Sequence, residues 1–258
     1  MLAAIGRKVI AFFAFMGELL LIVLRSFIEL RGFFHAGFRP VIRVLFKQIL
    51  FTGIHAWTII VVLFFMISVL VVTQIIVFTG AEGASLIGKV LVWLVVREIG
   101  PILIAVIVIA RSGAAIATEL ALMKVNRELW ALEVMGISAS RYLVMPRVMG
   151  MAISLAMLAL YGVVVSISGG FFVGSLAWKI PFSEFKQSLV PLSLTKEILF
   201  CAMKSFVFGL TIAAVCCRQG LSVEGDATQI PVAATTGVMR SLMMVFLVDA
   251  IASLAVFR

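Results

Sequence analysis

The feature that most constrains this chain is the recurrence of long stretches in which charged residues are rare. Residues 49–78, 86–110, 149–178, 198–217 and 230–257 each hold twenty or more mostly apolar residues. About twenty are needed to cross the hydrocarbon core of a bilayer. Lipid offers the backbone no hydrogen-bond partners, so each stretch must satisfy its own amides as a helix. The expected fold is an all-α membrane protein with five spans. Apolar residues make up 64% of the 258-residue chain, against about 45–50% in soluble domains. Little sequence remains between the blocks, so residues 1–258 read as one transmembrane domain.

The run at 9–24 is different. It has sixteen residues with Glu18 inside it, and Arg25, Glu29, Arg31, Arg39, Arg43 and Lys47 follow. That pattern suits a helix lying in the cytoplasmic interface, within a basic segment 1–47, better than a sixth span. Arg7 and Lys8 precede the run as in a signal peptide. Gly17 and Glu18 interrupt it, however, and no small-x-small cleavage site follows, so it is read as retained.

The net charge of +9 raises the possibility of a nucleic-acid partner, but the basic residues sit between apolar runs rather than on one segment. They read as membrane flanks, and no nucleic acid is expected. With the N-terminus inside, thirteen lysines and arginines fall on the cytoplasmic side and five outside. The positive-inside rule therefore gives N-in and C-out.

Few motifs offer chemistry. Cys201 and Cys216 would stand about 22 Å apart on one helix, too far for a disulfide. Residues 83–90 nearly spell a phosphate-binding loop. Val90 replaces the Ser/Thr that would hold magnesium, and the topology places the segment outside, so no nucleotide site is assigned. His35 and His55 belong to no catalytic pattern, and no metal or bound cofactor is expected. Gly162, Ser166, Gly170 and Gly174 recur every four residues, which lets a second helix approach closely. Packing within the chain and a dimer seam both fit. The one substantial cytoplasmic element is 111–147. There Leu122, Leu129, Leu132 and Met135 recur near helical spacing among Lys124, Arg127, Glu128 and Glu133, with Gly136 as a C-cap. It reads either as a solvated linker or as a docking helix.

Ionisable residues inside spans are costly and usually have a task. Arg97 and Glu98 should lie about 12–14 Å below Lys89, Lys204 about 10 Å below Glu197, and Asp249 about 13 Å below Arg258. These four depths are similar. Pro101 also deprives the Arg97 carbonyl of its helical donor, favouring a kink there. Arg97, Glu98, Lys204 and Asp249 read as a polar layer lining a substrate cavity, with a purely structural ion-pair lock as the alternative. Lys204 is expected to pair with Asp249. Arg240 is a further charge inside a span.

Several segments resemble the MlaE-type permeases of Mce-associated ABC lipid transporters. They are Arg97-Glu98-Ile99-Gly100-Pro101, Ala110-Arg111-Ser112-Gly113 with Ala117-Thr118-Glu119, and Leu132-Glu133-Val134-Met135-Gly136. Arg141 through Pro146-Arg147, Lys204 through Gly209, and Ala234-Thr235-Thr236 through Arg240-Ser241 to Asp249 complete the pattern. The resemblance implies a homodimer in the bacterial inner (cytoplasmic) membrane, with an interfacial helix and five spans. It implies a cytoplasmic ABC ATPase that holds ATP and magnesium, a periplasmic Mce-domain lipid-binding partner, and a possible small cytoplasmic regulatory subunit. The cargo would be phospholipid or a related lipid, moved for outer-membrane lipid asymmetry or for lipid import. The segment from Lys124 to Gly136, including Arg127, Glu128, Leu129, Leu132, Glu133 and Met135, would dock on the ATPase. Here the sequence departs from the family: Arg127-Glu128-Leu129-Trp130 stands where Glu-Gln-x-Asp is usual. The expected role is a transporter permease subunit with no enzymatic chemistry of its own. An ion-coupled secondary transporter, with Glu98 and Asp249 as relay groups, and an intramembrane lipid-modifying enzyme are the rivals.

The charge bias carries the first prediction. Single cysteines at Glu82 and Ser183 should react with an impermeant thiol reagent applied to intact cells, and one at Asn126 should not. Labelling at Asn126 would overturn the topology.

Overall fold

A computed structural model describes residues 2–31, 39–80, 84–189 and 194–256. His35, Glu82, Gly83 and Arg258 lie outside these, so the expectations that involve them find no structural answer here. Among the described residues every regular element is a helix. In chain order they are α1 (Leu2–Arg31), α2 (Arg39–Thr79), α3 (Ala84–Val90), α4 (Gly100–Val108), α5 (Ala114–Val125), α6 (Glu128–Val134), α7 (Met145–Trp178), α8 (Phe182–Leu189), α9 (Leu194–Leu221) and α10 (Ile230–Val256). Three π-helical segments, Leu91–Ile99, Ile109–Gly113 and Ser140–Val144, lead into α4, α5 and α7.

Proline and glycine mark the ends of these helices. Pro40 is the second residue of α2, where a missing N–H costs nothing, and Pro101, Pro146 and Pro231 stand where a π or 3-10 segment passes into α-helix. Gly80 follows α2 at φ 65° and Gly136 follows α6 at φ 76°, left-handed positions that suit a residue without a Cβ. At Gly136 the Ile137 N–H reaches the Leu132 carbonyl at 2.9 Å, and the Gly136 N–H reaches that of Glu133 at 2.9 Å. This is a Schellman closure and realises the expected C-cap.

Among the described residues six segments are long and apolar enough to cross a membrane: Ile10–Glu29, Ile42–Thr79, Leu86–Val125, Ser140–Trp178, Leu194–Leu221 and Ala227–Ala255. Five overlap the blocks read from the sequence. The sixth lies within α1, which runs to 30 residues because helix continues on both sides of the sixteen-residue run. The second block also continues through Ala110, since the π segment Ile109–Gly113 passes into α5 without a break. Only Asn126 and Arg127, and then Met135 to Ala139, separate helices in the stretch read as a cytoplasmic element.

The chain forms two compact units. The first comprises Met1–Ile49, Ile109–Ala152 and Gly209–Val245; the second comprises Leu50–Val108, Ile153–Phe208 and Phe246–Arg258. Within the first, Leu19 of α1 packs with Ala214 and Val215 of α9 and Met244 of α10. In the second, the small-residue stripe of α7 receives its neighbours. A Cβ on Gly162 would fall 2.8 Å from the Phe64 ring, Gly170 faces Leu91, and Ser68 Oγ donates to the Ser166 carbonyl at 3.0 Å. The stripe therefore serves packing within the chain. Also in this unit, Gly88 faces Ser188 and Leu189 of α8. The glycine that mimics a phosphate loop admits a crossing helix. Helix α8 was not expected, although Phe182, Phe185 and Leu189 mark one helical face, and Phe171 meets Phe182 and Phe185 with ring centroids 5.3 and 5.5 Å apart.

Gly209 makes the tightest backbone approach in the first unit: a Cβ there would sit 2.5 Å from Ala152 Cα and 2.9 Å from the Met151 carbonyl oxygen. Backbone cannot swing aside, so Gly209→Val should destabilise the chain by at least the ~1–3 kcal/mol typical of overpacking. Gly53→Ala, with nothing within 4 Å, should be neutral or slightly stabilising. Thermal unfolding in detergent would compare them. Equal midpoints for Gly209→Val and wild type would refute the close packing.

Candidate functional site: a buried charge cluster

The cluster begins with the π segment Leu91–Ile99, which ends at Arg97, Glu98 and Ile99 just before Gly100-Pro101. The Gly100 N–H bonds to the Val95 carbonyl, the i to i−5 pattern of a π turn. Gly100 is required by this geometry, because a Cβ would fall 2.5 Å from that carbonyl oxygen and 3.3 Å from the Phe64 ring. Proline at 101 has no N–H, so the Arg97 carbonyl lacks its α-helical donor.

Lys204 of α9 fills the gap. Its ammonium donates to the Arg97 carbonyl at 3.4 Å, to Glu98 Oε2 at 2.8 Å and to Ser253 Oγ at 3.3 Å. Its three N–H donors thus have three acceptors. Asp249 Oδ1 stands 2.7 Å away as an ion pair outside directed hydrogen-bond geometry. The Lys204 side chain is 1% exposed, whereas Glu98 is 23% and Asp249 15% exposed. Ser253 Oγ also donates to Glu98 Oε2 at 3.0 Å, closing a ring of contacts. On the other side Arg97 Nη1 lies 3.7 Å from Glu197 Oε1, and Arg97 Nε lies 3.7 Å from Glu98 Oε1. The Phe200 ring lies between the two cations, its centroid 5.7 Å from the Arg97 guanidinium and 5.9 Å from the Lys204 ammonium.

All four residues read from the sequence as one layer are therefore in one cluster, and the expected Lys204–Asp249 pair is present. Lys204 also engages Glu98, whose side chain stays 23% exposed. Glu197, Phe200 and Ser253 were missed. Their signal was helical spacing, since Glu197 precedes Lys204 by two turns and Ser253 follows Asp249 by one. Two cationic and three acidic side chains meet in apolar surroundings, so the cluster has one acid more than it has bases.

In the first unit, Lys124 donates to the Leu221 carbonyl at 2.5 Å, tying the end of α5 to the end of α9. Arg147 Nη2 pairs with Glu119 Oε2 at 2.9 Å. Arg127 turns the chain at φ 59°, and Glu128 opens α6 within 3.4 Å of the Asn126 amide. The outward apolar face of α6 differs from the one expected. Leu129 and Leu132 are half-buried, and Leu129 lines a cavity with Glu133, Arg25 and Leu221. Trp130, Val134 and Met135 point outward, at 67%, 66% and 64% exposure. Of the four apolar residues expected to recur, Leu122 and Met135 are on the surface and Leu129 and Leu132 are not, because α6 turns its leucines towards its own unit. Arg240 lies on α10, its guanidinium 5.3 Å from the Phe15 ring centroid.

Residues 45–255, which include the whole charge cluster and α6, match the protein family described as Permease MlaE. The chain belongs to the MlaE permease family. It is 31% identical over 193 residues to a probable ABC transporter permease of Synechocystis, covering 75% of this chain and 73% of the relative. A probable ABC transporter permease of Rickettsia conorii is 30% identical over 211 residues, 79% of each chain. One of the red alga Pyropia yezoensis is 30% identical over 181 residues, 70% of this chain and 69% of the relative. The MlaE permease is thus a membrane protein of the ABC transporter permease kind.

Removing one partner of a buried ion pair typically costs 3–5 kcal/mol. Lys204→Met should therefore fold poorly. Lys204→Met with Asp249→Leu should recover only part of the loss, because Glu98 remains without its cation. Adding Glu98→Gln should recover more. Yield and thermal midpoint in detergent would decide. Full recovery by the double variant would show that Glu98 depends little on Lys204.

Proposed function

We propose that this permease moves phospholipid or a related lipid between the inner membrane and a periplasmic Mce-domain partner, as a homodimer driven by a cytoplasmic ATPase. ATP and magnesium reside in that ATPase. Lipid import and maintenance of outer-membrane asymmetry are the two processes such an activity serves. The observation that carries the reading is the charge cluster around Lys204. A lipid joins a charged head to apolar chains. A layer with one acid more than its bases, and with Glu98 and Asp249 still partly exposed, offers polar contacts to a head group amid apolar walls. Glu98 and Asp249 are assigned to that contact, and Arg97 and the buried Lys204 hold them in the layer.

The reading keeps five spans with α1 in the cytoplasmic interface. In support, α1 meets α9 near the C-terminal end of that helix: Leu19 against Ala214 and Val215, Glu18 against Arg218, and Ile22 and Arg25 around Leu221. Glu29 lies within 3.5 Å of Ser140, where the next spanning segment begins. Glu18 and Arg25 of α1 also stand exposed, as charges on an interfacial helix do.

Helix α6 is assigned to the ATPase. Its exposed Trp130, Val134 and Met135 form an apolar patch that a groove can accept. Lys124, Arg127 and Glu128 stand at its start, and Leu129, Leu132, Glu133 and Gly136 fix its seat. A small regulatory subunit would bind the ATPase side of the assembly.

Two tests follow. Vesicles holding the permease with its ATPase and periplasmic partner should transfer lipid only with ATP, and the permease alone should move none under an ion gradient. Transfer by the permease alone would establish the ion-coupled rival, and altered rather than displaced lipid would establish the enzyme. In the second test, Trp130→Asp should abolish most ATPase co-purification by placing a charge in the buried contact. Charge reversal at Arg127 should cost under about 1 kcal/mol. If Trp130→Asp leaves assembly and lipid-stimulated ATP hydrolysis intact, α6 is only a linker.

A further inference from the structure

A cavity of about 380 Å³ opens where α1 meets α9 and α10, lined by Ala11, Phe12, Phe15, Arg218, Arg240 and Met243. Its walls are apolar apart from the two guanidinium groups. Both address one ring: Arg218 lies 4.6 Å and Arg240 5.3 Å from the Phe15 centroid. Glu18 pairs with Arg218 and offsets its charge. Among the described residues no carboxylate lies within ion-pair distance of Arg240, whose recorded interaction is with Phe15. Two cations beside one aromatic ring, with one acid paired to Arg218, leave a net positive charge at the mouth of an apolar cavity. Arg240 is exposed at the cavity mouth and free to meet an anion there. Phe12 and Met243 stand 43% and 67% exposed beside it, a ready surface for hydrocarbon.

We propose that α1, α9 and α10 form a binding site for the phosphate of an anionic membrane phospholipid. Arg240 and Arg218 grip the phosphate, and the acyl chains lie along Phe12 and Met243. Guanidinium groups match phosphate oxygens in paired hydrogen bonds, which an ammonium cannot reproduce. The apolar walls call for an anion with a hydrocarbon body, and the surrounding bilayer supplies one. The site shares no residue with the Lys204 cluster and does not rest on the transport reading. Bound lipid would hold α1 against α9 and α10.

Native mass spectrometry of the full chain in nonionic detergent tests this. Phosphatidylglycerol should be retained about tenfold more than phosphatidylcholine, which carries the same phosphate but adds a choline cation that the two guanidinium groups repel. Arg240→Gln should erase the preference, and Arg240→Lys, which keeps the charge, should preserve part of it and report an intact fold. Inorganic phosphate should raise the thermal midpoint far less than phosphatidylglycerol does. The proposal is overturned by equal retention of the two lipids, or by undiminished retention in Arg240→Gln. Equal stabilisation by inorganic phosphate would show a free-anion site and overturn the lipid assignment. Closure of the cavity by a second copy, seen as disulfide formation between chains carrying Phe12→Cys and Met243→Cys, would do the same.

Discussion

An ammonium group in an apolar interior must find acceptors for all three of its hydrogens, and the architecture around Lys204 follows from that demand. The acceptors come from separate parts of the sequence: the Arg97 carbonyl and Glu98 before α4, and Ser253 of α10, with Asp249 close by. One side chain of α9 thereby fixes two other elements in the second unit. Neither could slide along its axis by a turn without stranding a buried charge. Apolar packing alone, between surfaces of Leu, Val and Ile, would resist such slippage far less, because lipid is as good a partner for those side chains as another helix.

Small residues do the complementary work. Gly162, Ser166 and Gly170 admit Phe64, Ser68 and Leu91 in the second unit. In the first, Gly209 and Gly220 admit the backbone around Ala152 and Ala117. Where helix backbones come this close, dispersion contacts are gained that a larger side chain would forbid. Charges set the register, and missing side chains set the distance.

Much of this was legible in the sequence for physical reasons that can be named. Span length is set by bilayer thickness, so five apolar blocks announced themselves. Intramembrane charges are rare enough that Arg97, Glu98, Lys204 and Asp249 could be grouped by depth alone. Depth says nothing of azimuth, however. It could not reveal that Glu98 shares Lys204 with Asp249, or that Glu197 and Phe200 complete the setting of Arg97. The same blindness misassigned the outer face of α6. Over seven residues, periodicity fixes which residues share a face but not which face turns outward. Helix α1 was underestimated because charged residues end an apolar run without ending a helix.

The π segment Leu91–Ile99 has a consequence for how this family can change. A π turn accommodates one residue more than an α-helix of the same rise, and so behaves as an insertion held in place. Loss of a single residue between Leu91 and Val96 could be absorbed by reversion to α-helical winding, leaving Arg97, Glu98 and Pro101 where they are. Reversion to α-helical winding with no residue lost would instead rotate everything on the N-terminal side about the helix axis by roughly one residue's worth, about 100°. Lys89, Gly88 and the face that meets α8 would turn away together while the charge cluster stayed intact. The segment is therefore a joint at which one end of the helix can be re-aimed without disturbing the other.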